Sequence, residues 1–162
     1  MIELCTGLVN LLKEKSLTLA TSESCTGGLI AKSITDVSGC SSVYYGGVVS
    51  YDNSVKQNIL GVKEKTLSLH GAVSAETAYE MALGVKKALN TSIGISTTGI
   101  AGPLGGSEEK PVGTVYIGIA YGDNLVETRR LNIGSSLSRD EIRHEATRIV
   151  LEWVSEKISK NY

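Results

Sequence analysis

The sequence predicts an α/β fold in which helices cover both faces of a mixed β-sheet. Segments with helical periodicity alternate with short apolar segments typical of strands along most of the chain. Two further segments of alternating polarity flank Gly122-Asp123-Asn124, a turn sequence that predicts an antiparallel hairpin. A chain of 162 residues can bury one hydrophobic core, so we expect residues 1–162 to form a single domain.

The first segment of the chain predicts an amphipathic helix. Its apolar residues recur at intervals of three or four positions, and these are Ile2, Cys5, Val9 and Leu12. This spacing places them on one face of a helix that ends near Lys15. Residues 17–21, with Leu17, Leu19 and Ala20, then predict a buried strand, and residues 28–34 predict a short helix.

The middle of the chain predicts two strands and two helices. Residues 43–51 are expected to form a strand, because valine and tyrosine favour the pleated backbone. Asp52 or the asparagine after it can cap a helix that runs to Leu60. Ser74 can cap a longer helix, and residues 93–97 predict the next strand. The buried face of the longer helix consists of Ala78, Met81, Val85 and Leu89.

The C-terminal part of the chain predicts the hairpin and a final helix. A glycine-rich loop at residues 99–113 precedes the two hairpin strands, residues 114–121 and 125–133. Ser138 and Glu141 have the spacing of a capping box at the start of the final helix. The buried stripe of this helix consists of Ile142, Ala146, Ile149, Val150, Trp153 and Val154.

The composition argues against several classes of function. The 16 basic and 17 acidic residues give a net charge of −1, so we expect neither a nucleic-acid partner nor a membrane partner. No apolar run approaches membrane-spanning length, and the N-terminal segment carries no basic leader. The three cysteines have no CxxC spacing and only two histidines are present. We therefore expect a cytoplasmic protein that uses no metal and no cofactor.

The segment from residue 21 to residue 28 offers a candidate nucleophile. Ser24 follows an apolar, strand-like run and precedes a glycine pair, which predicts a hydroxyl presented at a strand-to-helix turn. Backbone N–H groups of Thr26, Gly27 and Gly28 could stabilise an oxyanion there. The alternative is an ordinary helix cap. Cys25 competes as nucleophile, but neighbouring side chains cannot both face one substrate, and we interpret it as a buried structural thiol.

A serine needs a nearby base, and the sequence offers three candidates. His70 and His144 are the histidines, although either could have only a surface or core role. Lys56 is expected in the first turn of a helix, where the dipole disfavours a charged ammonium. A base near pH 7 needs a pKa about three units below the usual one, a change of about 4 kcal/mol. Tyr51 could relay the proton or donate to the developing charge. Alternatively, Lys56 is a solvated helix residue and Tyr51 an ordinary strand residue.

The loop at residues 99–113 has the composition of a ligand-binding loop. Its glycines expose backbone N–H groups and Lys110 offers a cation, which suits a phosphate or a carboxylate. It matches neither of the common glycine-rich nucleotide motifs. Ser107 and Lys110 match S-x-x-K, but two glutamates lie between them, so we do not interpret them as catalytic.

Arg139 and Arg143 share one face at the start of the final helix, where the helix dipole disfavours cations. A bound anion would reverse that unfavourable interaction. The alternative is that both arginines pair with acidic residues of the same helix, and the spacing alone does not separate the two interpretations.

Taken together, these residues resemble the CinA C-terminal domain family, which is also described as a family of nicotinamide-nucleotide amidases. The matching stretches, in family order, are residues 23–28, Tyr51 with Lys56, residues 70–74, 99–103 and 105–115, and Arg139 with Arg143. The resemblance covers nearly the whole chain. It implies a three-layer α/β/α domain with a mixed, mostly parallel five-stranded sheet. It also implies hydrolysis of nicotinamide mononucleotide to nicotinate mononucleotide and ammonia.

By position, the resemblance assigns Ser24 as the nucleophile, Lys56 as its base, and Tyr51 as a tyrosine beside them. From the chemistry of the loop and the arginine pair, we add a set of residues expected to bind substrate. The full set is Thr26, Gly27, Gly28, Thr98, Gly99, Gly102, Gly105, Gly106, Lys110, Arg139 and Arg143. Longer CinA proteins carry a separate N-terminal domain, and we expect its activities to be absent from this chain.

Two other functions stay open at this point. The first is a nucleotide-binding or partner-binding module that kept the fold and lost turnover, although such a binder has no need for the serine, tyrosine and lysine set. The second is an amidase for a different small amide. We also expect a homo-oligomer, because sites of this size are often completed across a subunit boundary.

Overall fold

The computed structural model describes residues 1–162 as a five-stranded sheet with six α-helices. The strands are β1 (Leu19–Glu23), β2 (Tyr44–Val49), β3 (Ile93–Gly99), β4 (Thr114–Tyr121) and β5 (Leu125–Asn132). The helices are α1 (Ile2–Glu14), α2 (Leu29–Thr35), α3 (Asn53–Leu60), α4 (Glu64–His70), α5 (Ala75–Ala88) and α6 (Arg139–Asn161). A short 3-10 turn, Cys40–Ser42, precedes β2.

The strands lie in the order β2-β1-β3-β4-β5. β1 is parallel to both β2 and β3, whereas β4 is antiparallel to β3 and to β5. Four of the five strands therefore run in the same direction, and β4 runs against them. The mixed, mostly parallel sheet and the antiparallel hairpin around residues 122–124 are both confirmed.

Helices cover both faces of the sheet, as the α/β prediction required. α1, α2 and α6 pack on one face and bury the larger core, which includes Leu19, Ile95 and Trp153. α3, α4 and α5 lie on the other face, where Ala20 of β1 packs with Met81. Leu19 and Ala20 are neighbours on opposite faces because side chains alternate along a strand. Each large apolar side chain buried in this way contributes about 1.5–3 kcal/mol to stability.

Three predicted helix caps form. Asp52 accepts a hydrogen bond from the Ser54 N–H at the start of α3, and Ser74 accepts one from the Thr77 N–H at the start of α5. Ser138 forms the complete capping box with Glu141 at the start of α6. Such caps stabilise a helix by about 1 kcal/mol and fix where the chain enters it.

Helix α4 is not among the predicted helices, because the sequence analysis assigned no element between Leu60 and Ser74. None of its residues is buried, so it shows no apolar stripe, and Lys63 at its N-cap makes no side-chain cap bond. His70 lies in its last turn. None of the helices combines the length and the apolar character needed to span a bilayer.

The carboxyl ends of β1, β2 and β3 meet at one edge of the sheet. Glu23, the last residue of β1, is paired with Val49 on one side and with Thr97 on the other. The sequence placed β1 two residues too early, at 17–21, and the true end at Glu23 puts Ser24 directly after the strand. In parallel sheets this edge is where ligands bind.

Candidate active site

Ser24 is held at the end of β1 by its own backbone. Its N–H donates to the Thr97 carbonyl at 2.9 Å, which extends the β1–β3 pairing by one residue. The side chain is half-buried, and its Oγ lies 3.2 Å from Nζ of Lys56. The predicted nucleophile and one of its three predicted bases are therefore within hydrogen-bond distance.

Lys56 reaches this position from the first turns of α3, and its side chain is buried, with 1 % of the residue exposed. Its Nζ donates to the Ser50 carbonyl at 2.6 Å and to the Tyr51 carbonyl at 3.3 Å. No carboxylate forms an ion pair with it. Burial lowers the pKa of the Lys56 amine below that of an ordinary lysine, and Asp52 opposes this shift only in part.

The three contacts of Lys56 suit a neutral amine. An uncharged amine has two N–H donors and one lone pair. If the two donors go to the carbonyls of Ser50 and Tyr51, the lone pair faces Ser24, whose hydroxyl can then donate to it. This is the geometry of a general base next to the group that it deprotonates.

A cavity of about 210 Å³ opens beside this pair. Its lining residues are Ser24, Cys25, Tyr51, Lys56, Ala72, Val73, Thr98, Gly99, Ala101 and Arg139. Thr98 and Gly99, both predicted to bind substrate, therefore lie at the cavity, at the end of β3. Thr98 donates to the Ala72 carbonyl at 2.6 Å, which fixes the segment before α5 against the cavity.

The competing nucleophile and the competing bases do not have this geometry. Cys25 is buried, and burial raises the pKa of its thiol to about 12, which disfavours a thiolate. His70 is exposed and lies 3.6 Å from Glu76, and His144 contacts Asp140 of its own helix. Neither histidine contacts Ser24 or lines the cavity.

The predicted oxyanion donors require a correction. The N–H of Gly27 already donates to the Ser24 carbonyl at 3.1 Å, and the N–H of Gly28 donates to the Glu23 carboxylate at 3.0 Å. The N–H groups of Cys25 and Thr26 make no hydrogen bond to another residue. Because Cys25 also lines the cavity, its N–H is the better placed donor, as expected for the residue after a nucleophile.

Arg139 joins three parts of the site. Its Nη1 donates to the Gly102 carbonyl at 2.8 Å, and its Nη2 donates to the Tyr51 hydroxyl at 2.9 Å. Tyr51 is 62 % exposed, and its hydroxyl contacts Arg139 rather than Ser24 or Lys56. Tyr51 therefore serves Lys56 through its backbone carbonyl, while its ring and hydroxyl lie at the outer part of the cavity.

Two of the cationic side chains predicted to bind substrate instead donate hydrogen bonds to backbone carbonyls of the protein. Arg143 donates to the Thr26 carbonyl at 2.8 Å, so it holds the turn after Ser24. Lys110 donates to the carbonyls of Val73 at 2.7 Å and His70 at 3.1 Å, so it ties the glycine-rich loop to the segment before α5. Neither side chain lines the cavity beside Ser24, and a role as a free anion ligand does not match these contacts.

A second cavity of about 550 Å³ lies next to the first, and Arg139 lines both. Gly106 lines this larger cavity together with Ser107 and Ser138. Gly105 lines neither cavity. Gly102 is a buried residue of the loop, and its carbonyl accepts a hydrogen bond from Arg139. A Cβ atom at this position would lie 2.6 Å from a methyl carbon of Val112, which is a steric clash.

Sequence reasoning missed the role of Glu23. This carboxylate is buried at the foot of the turn that carries Ser24, and it accepts four hydrogen bonds from that turn and from α2. A signal was present, because an acidic residue stands between an apolar strand and a glycine pair.

Comparison with known proteins gives a consistent result. The family model described as the CinA C-terminal domain matches residues 2–158. A competence-damage inducible protein of Thermoanaerobacter sp. (strain X514) is 56% identical over 144 residues, which cover 89% of this chain and 33% of that protein. This chain thus spans about a third of the length of such curated relatives.

Solved structures of similar length have the same fold. The competence/damage inducible protein CihA from Agrobacterium tumefaciens superposes with a TM-score of 0.91 at 39% identity, covering 94% of this chain and 92% of that one. The competence damage-inducible protein A from Klebsiella pneumoniae has a TM-score of 0.94 at 31% identity, covering 99% and 98%.

Proposed function

Because this chain belongs to the CinA C-terminal domain family, we propose that it hydrolyses the carboxamide of nicotinamide mononucleotide to nicotinate mononucleotide and ammonia. The observation that carries the proposal is the 3.2 Å contact between the Ser24 hydroxyl and the buried amine of Lys56. A serine beside a buried lysine, without a histidine or a carboxylate partner, is an arrangement for acyl transfer.

The proposed reaction has two stages. Ser24 Oγ attacks the carboxamide carbon while Lys56 takes the hydroxyl proton, and the N–H of Cys25 donates to the oxygen of the tetrahedral intermediate. Lys56 returns the proton to the amide nitrogen, the C–N bond breaks and ammonia leaves. Water, deprotonated by the same amine, then attacks the acyl ester and releases the carboxylate product and Ser24.

The two adjacent cavities support an elongated substrate with one anionic end. The smaller one, beside Ser24, would hold the nicotinamide ring, and the larger one would hold the ribose phosphate. Arg139 lines both cavities, so its guanidinium is the cation best placed to attract the phosphate. In this arrangement the substrate competes with the Gly102 carbonyl and the Tyr51 hydroxyl for the arginine.

A substrate panel tests the proposal. The purified chain is incubated with nicotinamide mononucleotide, nicotinamide riboside, nicotinamide, glutamine and asparagine, and ammonia and the carboxylate products are quantified. We expect turnover of the mononucleotide to exceed that of the others. Turnover of another amide alone would identify a different amidase. Calorimetric binding of the mononucleotide with no product from any amide would identify a binding module instead.

We expect kcat/KM to rise with pH and level off, with a midpoint below the value of about 10.4 typical of a free lysine. The reason is that only the neutral Lys56 amine can accept the Ser24 proton, and burial lowers its pKa. The measurement is kcat/KM from about pH 8 upward, where the substrate phosphate is almost fully ionised. A midpoint at the value of a free lysine, or a rate that falls as the pH rises, would contradict this assignment.

We expect Arg139→Ala to lower kcat/KM for the mononucleotide by roughly ten- to a hundredfold, the size of a charge-assisted contact, with little change for the riboside. The ratio of the two substrates isolates the phosphate contribution, because the riboside lacks only that group. Arg148→Ala is the matched control, since Arg148 lies on the same helix and pairs with Glu145 and Glu152. An equal loss with both substrates would contradict phosphate recognition by Arg139.

A further inference from the structure

The Glu23 carboxylate is buried, with 1 % of the residue exposed, yet no cation pairs with it. Its Oε2 accepts from the Thr26 hydroxyl at 2.7 Å, the Gly28 N–H at 3.0 Å and the Ile30 N–H at 3.0 Å. Its Oε1 accepts from the Ala31 N–H at 2.8 Å. All four partners are donors, so only an acceptor-only group satisfies the arrangement.

These contacts join the two ends of the turn that carries the nucleophile. Glu23 is the residue before Ser24, and its side chain reaches forward to Thr26, to Gly28 and into the first turn of α2. The turn is therefore folded around one carboxylate. Hydrogen bonds of this kind, between a charged acceptor and backbone N–H groups, are about twice as strong as neutral ones.

The same turn is held from two other directions. Arg143 donates to the Thr26 carbonyl at 2.8 Å, and the Thr26 hydroxyl also lies 2.7 Å from the Thr97 hydroxyl on β3. The peptide groups between Ser24 and Thr26 are thus enclosed by fixed partners. Within that enclosure, the N–H groups of Cys25 and Thr26 are the donors that no other residue uses.

We infer that Glu23 is a positioning residue for the oxyanion site, and that it acts by fixing the turn so that the Cys25 N–H, at the cavity that Ser24 also lines, is used by no other residue. The inference rests on the proposed function and deepens it. In this role Glu23 never contacts substrate. It accepts the N–H of Gly28, while the N–H of Cys25, directly after the nucleophile, stays available.

A neutral amide at position 23 breaks the arrangement with little change in shape. In Glu23→Gln, one end of the side chain becomes an NH₂ donor and faces an N–H or O–H that is also a donor. The turn must then shift by a fraction of an ångström, which moves the oxyanion donors relative to Ser24. The loss should therefore fall on the chemical step rather than on substrate binding.

The test measures the reaction of Ser24 with a fluorophosphonate, which needs no nucleotide. Ser24 Oγ bonds to phosphorus, the P–F bond breaks, fluoride leaves, the hydroxyl proton passes to Lys56, and the phosphoryl oxygen occupies the oxyanion site. We expect Glu23→Gln to slow labelling by roughly ten- to a hundredfold, less than the loss of a whole oxyanion donor. The pH midpoint of labelling, which reports on Lys56, should not move.

The matched control is Thr18→Val. It removes the acceptor of the Ser92 N–H, at the opposite end of β1, and so destabilises the sheet without touching the turn. We expect this variant to be labelled at the wild-type rate. With the mononucleotide, Glu23→Gln should lower kcat by a similar factor and change KM by less than about threefold.

The outcomes separate this inference from the proposed function. Labelling of Ser24 in the wild type without any turnover of the mononucleotide would contradict the proposed substrate. The labelling test of Glu23 would still be valid in that case. Wild-type labelling of a folded Glu23→Gln protein, a shifted pH midpoint, or no labelling of Ser24 at all would overturn the role of Glu23. If Glu23→Gln does not fold, Thr26→Val removes one of the four bonds, and unchanged labelling of that variant would overturn it equally.

Discussion

Replacement of Ser24 by alanine should abolish release of ammonia from nicotinamide mononucleotide, with a loss in kcat of at least about a thousandfold. The reason is that the Lys56 amine would have no hydroxyl to deprotonate, and no covalent acyl intermediate could form. The fold should survive, because the serine is anchored by its backbone N–H on Thr97 rather than by its side chain. Loss of the 3.2 Å contact to Lys56 should change stability by about 1 kcal/mol or less.

The measurement combines product analysis with thermal unfolding of the same preparation. Cys25→Ser is the informative companion, because the thiol next to the nucleophile is the remaining candidate in the turn. Substantial ammonia release by a folded Ser24→Ala protein would exclude the serine mechanism. Such activity, if also lost in Cys25→Ser, would assign the nucleophile to the thiol.

Replacement of Lys56 by methionine should remove activity to a similar extent and also change how stability depends on pH. Methionine fills a similar buried volume, but its thioether sulfur is only a weak acceptor and cannot take the Ser24 proton as a base. In the wild type, the pKa of Lys56 is lower in the folded state than in the unfolded state, so over that interval the unfolded chain binds more protons. The free energy of unfolding therefore rises with pH from the folded pKa up to about 10.4, and this contribution disappears in the variant.

Thermal unfolding from about pH 7 to 10 of the wild type and Lys56→Met reveals that difference. Lys65→Met is the control, since Lys65 is exposed and forms no ion pair or side-chain hydrogen bond. Lys65→Met should change neither the activity nor the dependence of the unfolding free energy on pH. Retention of turnover in Lys56→Met, or an identical pH dependence of unfolding, would show that Lys56 is not the titrating base.

The sequence predicted most of the fold because its elements carry local signals. The caps at Asp52, Ser74 and Ser138 each form as their residue types imply. Helix α4 has no buried residue and no side-chain cap, so neither periodicity nor capping could reveal it. Boundaries were less accurate, since pairing across the sheet and not local propensity decides where a strand ends.

The sequence named many of the residues found at the candidate site, but it did not predict which partners their side chains contact. The residues offered Lys56 as one of three candidate bases for Ser24, and the resemblance to the CinA family selected it. The fold brings the two side chains within hydrogen-bond distance. The sequence could not show that Lys110 and Arg143 are occupied by carbonyl groups, because those carbonyls lie 37 and 117 residues away along the chain. The four donors around Glu23 are close in sequence, but only the folded turn and the start of α2 make them converge on one carboxylate.

The two tasks of this site rest on different parts of the chain. Ser24 and Lys56 are held by the ends of β1 and β2 and by α3, whereas the larger cavity is formed by the loop after β3 and by the start of α6. Length and composition of that loop can therefore diverge between relatives without moving the nucleophile or its base. A scaffold divided in this way can acquire new substrates through loop exchange while it keeps one chemistry.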